Sequence, residues 1–317
     1  MATYLGVDLG ATTVSAAVGD RSGRVAGAHR RATPSSTGVA VTEAVIETVR
    51  EACADAGVAT NAVIAAGVGS MGPLDAEEGV VVDPPNLPGV DRVALVSPLR
   101  TLLSTDRITL HNDAVAGAIG ERFFGDDGDN LVYLTLSTGV GAGAIVDGHV
   151  CTGWKGNAAE MGHLTVDPVD GRTCGCGRAG HWEAYCAGSA ISDYAAALHD
   201  GESTALTLDG ETDAARVFDA AAAGDDFAAR VVDRVGKWNA IGVAALVHAF
   251  APRTVAVGGG VARNNPEQVL GPIRERLPAH VATTVPEVRG VDADGNAVVR
   301  GALASAITDG TGEWDRS

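Results

Sequence analysis

Lysine is almost missing from this chain. Lys155 and Lys237 are the only two in 317 residues, so arginine supplies nearly all of the 23 cationic side chains that face 40 carboxylates. The formal charge of −17 at pH 7 leaves no basic face on which to hold nucleic acid. Acidity with lysine depletion reads as a salt-adapted, halophilic composition, because such a surface stays hydrated once salt screens its self-repulsion. Aromatics are only 4% of residues. The core must therefore be built from Ala, Val, Leu and Ile, and a hydrophobic content of 46% is enough for a sizeable one. No apolar run approaches the ~20 residues of a membrane span. Met1-Ala2-Thr3-Tyr4 lacks the basic segment and apolar stretch of a secretory signal. Together these absences give a cytoplasmic expectation. Five cysteines, an odd number, do not form a disulfide framework, and the close pair Cys174 and Cys176 suggests metal ligation instead.

What is present alternates between strand and helix patterns. Thr3–Leu9 and Thr13–Gly19 read as strands, and the turn Asp20-Arg21-Ser22-Gly23 leads to a third. Over Gly38–Ala56, Val41, Val45, Val49 and Ala52 fall on one helical face. Ala62–Val68 and Ile108–Asn112 read as buried strands, with a rigid Pro-rich loop, Asp83–Gly89, between them and a helix from Asp113 to about Phe124. Leu131–Leu136, a glycine-rich turn over Gly139–Gly143 and a return at Ala144–Val146 begin a second group. Helices are expected at Ser189–Leu198, Ala214–Ala223 and about Asp226–Phe250, then a strand at Thr254–Val257. The repetition predicts two similar α/β halves.

Each half carries a strand, a small-residue turn and a strand. Asp8, Gly10, Thr12 and Thr13 form the first such turn, Ser137, Thr138 and Gly139 the second. Small residues let backbone N–H groups approach phosphate, hydroxyls add donors, and a strand-end carboxylate holds Mg²⁺ through water. Gly258, Gly259 and Gly260, between a strand and a helix, suit the face of an adenosine or an ordinary loop. Asn112 and Asp113 end a strand and open a helix. That is an N-cap position, and also the place for a general base at the carboxyl end of a strand. The strongest local pattern is His163, Cys174, Cys176 and His181: two thiolates and two imidazoles in one Gly-rich segment, enough to close a structural Zn²⁺ site. Glu160 and Glu183 flank it, and carboxylates suit the paired hydroxyls of a sugar.

In order and spacing these motifs resemble the ROK family of sugar kinases and sugar-responsive repressors across essentially the whole chain. The resemblance implies an α/β, actin-like ATPase (ribonuclease H-like) fold of two domains, with sugar and ATP in the cleft between them. Residues 1–112 would form a small domain, completed by a C-terminal helix at about 301–317. Residues 113–300 would form a large domain carrying the zinc loop. The resemblance also implies Asp113 as the base for the sugar's 6-hydroxyl and Asn86, Asn112, Glu160, His163 and Glu183 as sugar contacts, with His163 touching zinc by one ring nitrogen and sugar by the other. Glucose is the expected hexose and ATP with Mg²⁺ the expected donor. The motifs leave N-acetylglucosamine, N-acetylmannosamine and fructose open. A homodimer or homotetramer is implied, with no nucleic-acid or membrane partner; the family's repressors carry an N-terminal helix-turn-helix, for which a first strand at Thr3 leaves no room. Three positions depart from the pattern. Gly10-Ala11-Thr12-Thr13 replaces Gly-Gly-Thr-Lys, Ala159 replaces a glycine, and His181 replaces the third zinc cysteine, with Cys186 the alternative fourth ligand.

Overall fold

The computed structural model describes residues 2–125, 128–208, 213–291 and 297–313. The chain forms two compact units. One comprises Met1–Leu131, Gly143–Ala159 and Asn296–Ser317; the other comprises Val132–Ala142 and Glu160–Gly295.

In the first unit, strands β1 (Thr3–Leu9), β2 (Thr13–Gly19), β3 (Val25–Ala32), β4 (Val63–Ser70) and β8 (Ile108–Asn112) lie in the order β3-β2-β1-β4-β8. The first three are antiparallel, and β1, β4 and β8 run parallel. Alternation decides the faces. Leu5, Val7 and Leu9 join Val14, Ala16 and Val18 in a core closed by helix α1 (Gly38–Asp55). Its buried side contains the expected Val41, Val45, Val49 and Ala52, and the Thr37 hydroxyl caps its start by accepting from the Ala40 N–H. Helix α2 (Val96–Leu103) adds Leu99 and Leu103 to this core. A small sheet of β5 (Leu74–Asp75), β6 (Val80–Val82) and β7 (Arg92–Ala94) carries the Pro-rich loop between its last two strands.

The opposite face is covered by α3 (Asp113–Phe124) and α10 (Ala297–Ile307). Helix α10 passes so close that a Cβ on Gly67 would lie 2.0 Å from the Ala302 carbonyl oxygen. Leu303 and Ala306 pack on Tyr4 and Ala65, while Ala304 packs on Val115, Ile119 and Phe123 of α3. Two boundaries differ from the sequence expectation for this reason. Helix α3, placed from sequence at the start of the large domain, belongs to the first unit because it packs on α10. The C-terminal helix spans Ala297–Ile307 rather than about 301–317 and gives way to turns at Gly310 and Gly312; residues 314–317 lie outside the described residues.

The second sheet has the order β11-β10-β9-β12-β13, from β9 (Leu131–Leu136), β10 (Val140–Val146), β11 (His149–Val150), β12 (Thr254–Gly258) and β13 (Glu287–Gly290). The Ser137 N–H donates to the Gly139 carbonyl at 2.9 Å, which closes the turn in three residues. Gly141 and Gly143 therefore lie within β10, not in the longer turn expected over Gly139–Gly143. Helices α4 (Glu183–Cys186), α5 (Ile191–Leu198), α6 (Ala214–Ala222), α7 (Asp226–Phe250), α8 (Gly260–Asn264) and α9 (Pro266–Arg276) belong to the second unit. No helix among the described residues is long and apolar enough to cross a membrane.

Candidate active site

In the first unit, β1 ends beside the turn Gly10–Thr13. The Gly10 N–H donates to the Thr13 carbonyl at 3.0 Å, and the Thr33 hydroxyl donates to the Gly10 carbonyl at 2.7 Å, so the turn is held from β3's side. Asp8 sits at its root. Burial pushes the Asp8 carboxyl up to about 7, and the nearby charge of Asp113 adds to the shift. Asp113 arrives from β8: the strand ends at Asn112 and α3 begins at Asp113. Both side chains accept from the Ala114 N–H, Asn112 at 2.9 Å and Asp113 at 2.7 Å. Asn112 thus acts as the helix cap, while Asp113 stands in the first turn, at the positive end of the helix dipole. Asn86 is exposed on a loop pinned by the buried Leu87 and Val90.

Sequence reasoning missed a clamp in this unit. The Asn157 amide oxygen accepts from the Leu74 N–H at 2.7 Å, and its nitrogen donates to the Leu74 carbonyl at 2.8 Å. Lys155, one of the two lysines, pairs with Asp75 at 2.5 Å. The unusual lysine was the one available signal.

In the second unit, the Ser137–Gly139 turn and the Gly258–Gly260 loop are neighbours. A Cβ on Gly259, whose φ is +89°, would lie 2.3 Å from the Leu136 carbonyl oxygen. Gly259 must therefore be glycine on two counts, backbone conformation and close approach. The Gly188 N–H donates to the Ser137 carbonyl at 2.7 Å, and the Ser189 hydroxyl donates to the Thr138 carbonyl at 2.7 Å.

Glu183 joins this turn to the cysteine segment. Its Oε2 accepts from the Val140 N–H at 3.0 Å, and its Oε1 lies 3.7 Å from Cys174 Sγ. The Glu160 carboxyl stands above the ordinary carboxylate range chiefly through desolvation, although the residue as a whole is exposed; the His163 imidazole opposes the shift and the Glu183 charge adds to it.

His163, Cys174, Cys176 and His181 converge, with ligand atoms all within 4.8 Å of one another. Cys176 Sγ is 3.2 Å from His181 Nδ1, and Cys174 Sγ is 3.9 Å from His163 Nδ1. Donors around a tetrahedral ion with bonds of about 2.0–2.3 Å lie roughly 3.3–3.8 Å apart; these two pairs stand near that spacing, and the whole set, within 4.8 Å, would need to draw in only slightly around an ion. Burial pushes the Cys174 thiol up to about 12, so a thiolate there needs a cation beside it. Burial also lowers His181, with His163 next in effect, which favours the neutral imidazole that ligates metals. Cys186 is corrected out of the ligand set: it is fully buried and turned away, its Sγ 3.5 Å from the Val235 carbonyl oxygen. The intervening Trp182 is also fully buried and donates from its indole nitrogen to Asn239 of α7 at 2.9 Å. That anchor fixes the backbone between His181 and Glu183.

The ROK family profile matches residues 4–308. A glucokinase of Aeropyrum pernix is 38% identical over 319 residues, covering 96% of this chain and 97% of the relative. A ROK hexokinase structure from Thermus thermophilus superposes with a TM-score of 0.82 at 34% identity, covering 97% of this chain and 98% of that one. A ROK glucokinase structure from Streptomyces griseus, in complex with glucose and AMPPNP, gives a TM-score of 0.79 at 31% identity, with 96% and 99% covered. This chain belongs to the ROK family and has its two-domain, actin-like ATPase fold.

Proposed function

We propose that this protein transfers the terminal phosphoryl group of ATP to the 6-hydroxyl of glucose, giving glucose 6-phosphate and ADP. The observation that supports this most is Asp113, a carboxylate at a strand's carboxyl end and the start of a helix, within electrostatic reach of Asp8 at the phosphate turn. The glucokinase relatives agree with it. Phosphoryl transfer needs little beyond positioning and charge stabilisation. Asp113 accepts the proton of the 6-hydroxyl as that oxygen attacks phosphorus. Asn86, Asn112, Glu160, His163 and Glu183 orient the sugar. Asp8, Gly10, Thr12 and Thr13 on one turn, and Ser137, Thr138 and Gly139 on the other, hold the phosphates; Gly258–Gly260 faces the nucleoside. Mg²⁺ bound with the nucleotide supplies charge neutralisation, and Asp8 is the residue that would hold it through water.

Zinc is the ion proposed for His163, Cys174, Cys176 and His181, since two thiolates and two imidazoles suit it. With His163 Nδ1 turned toward Cys174, the other ring nitrogen is left for a sugar hydroxyl. Its role is structural, as all four positions are filled by protein. A cytoplasmic setting and assembly as a homodimer or homotetramer belong to the same reading. A panel of hexoses with ATP and coupled ADP detection tests it. Glucose should give the highest kcat/KM, and a clear preference for an N-acetylated sugar or fructose would move the assignment to that substrate.

A further inference from the structure

The phosphate turn of the first unit has no cation of its own. Residues Gly10-Ala11-Thr12-Thr13 offer only backbone and hydroxyl groups, and the Gly10 amide is already used within the turn. Beneath it stand two carboxylates, Asp8 at the end of β1 and Asp113 at the start of α3. A triphosphate brought here meets negative charge.

Strand register supplies an answer. Asp8 of β1 is paired with Ser15 of β2, and Ser15 with Arg30 of β3. Directly opposed residues of antiparallel strands project from the same face. Asp8, Ser15 and Arg30 therefore form one row, on the face opposite the core of Leu9, Val14 and Ala16. Thr13 is paired with Ala32, which makes Arg30 its diagonal neighbour, ~7–8 Å away and within reach of a long side chain. Ser15 is small and partly exposed, and Arg30 is exposed. Among the described residues the Arg30 guanidinium makes no hydrogen bond or ion pair. On the same hairpin, Arg24 is paired with Asp20 at 3.2 Å.

We propose that Arg30 is a further phosphate-binding residue, its guanidinium reaching over Ser15 to hold the phosphate oxygens of a nucleoside triphosphate at the Gly10–Thr13 turn. This rests on the kinase reading above. A planar fork of N–H donors suits phosphate oxygens and remains charged at all working pH values. The sugar contacts are on other segments, so the effect should be confined to the nucleotide.

The test is Arg30→Met, measured beside the wild type at one fixed KCl concentration. Steady-state kinetics would be combined with calorimetric binding of MgAMPPNP. The expected result is a tenfold or greater rise in KM for MgATP with matching loss of MgAMPPNP affinity. The KM for glucose should stay within twofold and the melting temperature should not move. Adding Thr13→Lys to Arg30→Met should recover much of the loss, because the new cation lies diagonally across the same strand pair. If Arg30→Met keeps kcat and KM for MgATP within twofold, the Arg30 assignment fails while the kinase reading stands. Equal rises in KM for both substrates would make the residue merely structural and also overturn it. A wild type that neither binds MgAMPPNP nor releases ADP with any hexose removes both readings together.

Discussion

On the proposed reading Asp8 and Asp113 have different roles, and replacing each should give a different signature. Asp113→Asn keeps shape and hydrogen bonding but removes the proton acceptor. The expected loss in kcat is on the order of 10²–10⁴, with glucose binding retained by calorimetry; a variant keeping more than about a tenth of the activity would leave Asp113 only a helix residue. Asp8→Asn should cost activity yet stabilise the fold. Burial pushes the folded carboxyl up from its ordinary 3.8 to about 7, so between those pH values the folded chain keeps a proton that the unfolded chain has released. Stability therefore falls as pH rises through that window, and the penalty is complete above 7. Removing the charge should raise the melting temperature at pH 8 but hardly at pH 4. An equal gain at both pH values would mean the charge is not the cause. His111 works in the opposite direction. It is buried, neither ring nitrogen has a hydrogen-bond partner among the described residues, and burial lowers it from 6.5 to about 4. Stability is lost as pH falls from 6.5 through 4, because the unfolded chain takes up the proton first. His111→Phe should leave melting at pH 7.5 almost unchanged and raise it at pH 5.

The segment from His163 to Glu183 is an element without regular structure for most of its length; its order comes from anchors such as Trp182 on Asn239 and, on the proposed reading, from a metal ion. Cys176→Ser should abolish metal binding, read as about one zinc per chain in the wild type and none in the variant. Sugar affinity should fall with it, because His163 and Glu183 are held by the same loop; wild-type protein prepared without chelators and free of zinc would refute the assignment. This segment was legible beforehand because cysteine and histidine are rare and their spacing carries chemistry. Long periodic elements were legible too: α1 and α7 follow their apolar stripes. The short ones were not. Strands of two or three residues, as in β5–β7, have no period to read. Helix α9 starts at Pro266 after two asparagines, a sequence that reads first as a turn. The glycines of β10 imitated a loop because composition cannot distinguish a turn from a strand in close contact. Asn157 gave no signal, since its partner Leu74 lies 83 residues away.

At the scale of the whole molecule, charge dominates. With −17 on 317 residues, the folded state carries strong mutual repulsion. The more expanded unfolded chain suffers less of it, and at 1 M salt the Debye length shrinks to ~3 Å. The melting temperature should rise from 0.1 to 3 M KCl by more than in an uncharged osmolyte; a flat or falling series would make the acidity incidental. Activity should rise with it, stabilisation outweighing the weaker attraction between Mg²⁺ or basic residues and ATP. The placement of α10 has a consequence of another kind. The first unit takes its last helix from residues 297–307, after the whole second unit has been written. On the ribosome, β1 and β4 wait through the synthesis of more than half the chain with Tyr4, Gly67 and their neighbours uncovered. The second unit emerges complete before the first can close. The nascent chain is therefore vulnerable at its oldest end, and a stop codon placed just after Gly295 would leave a finished second unit tethered to a sheet that cannot bury its own face.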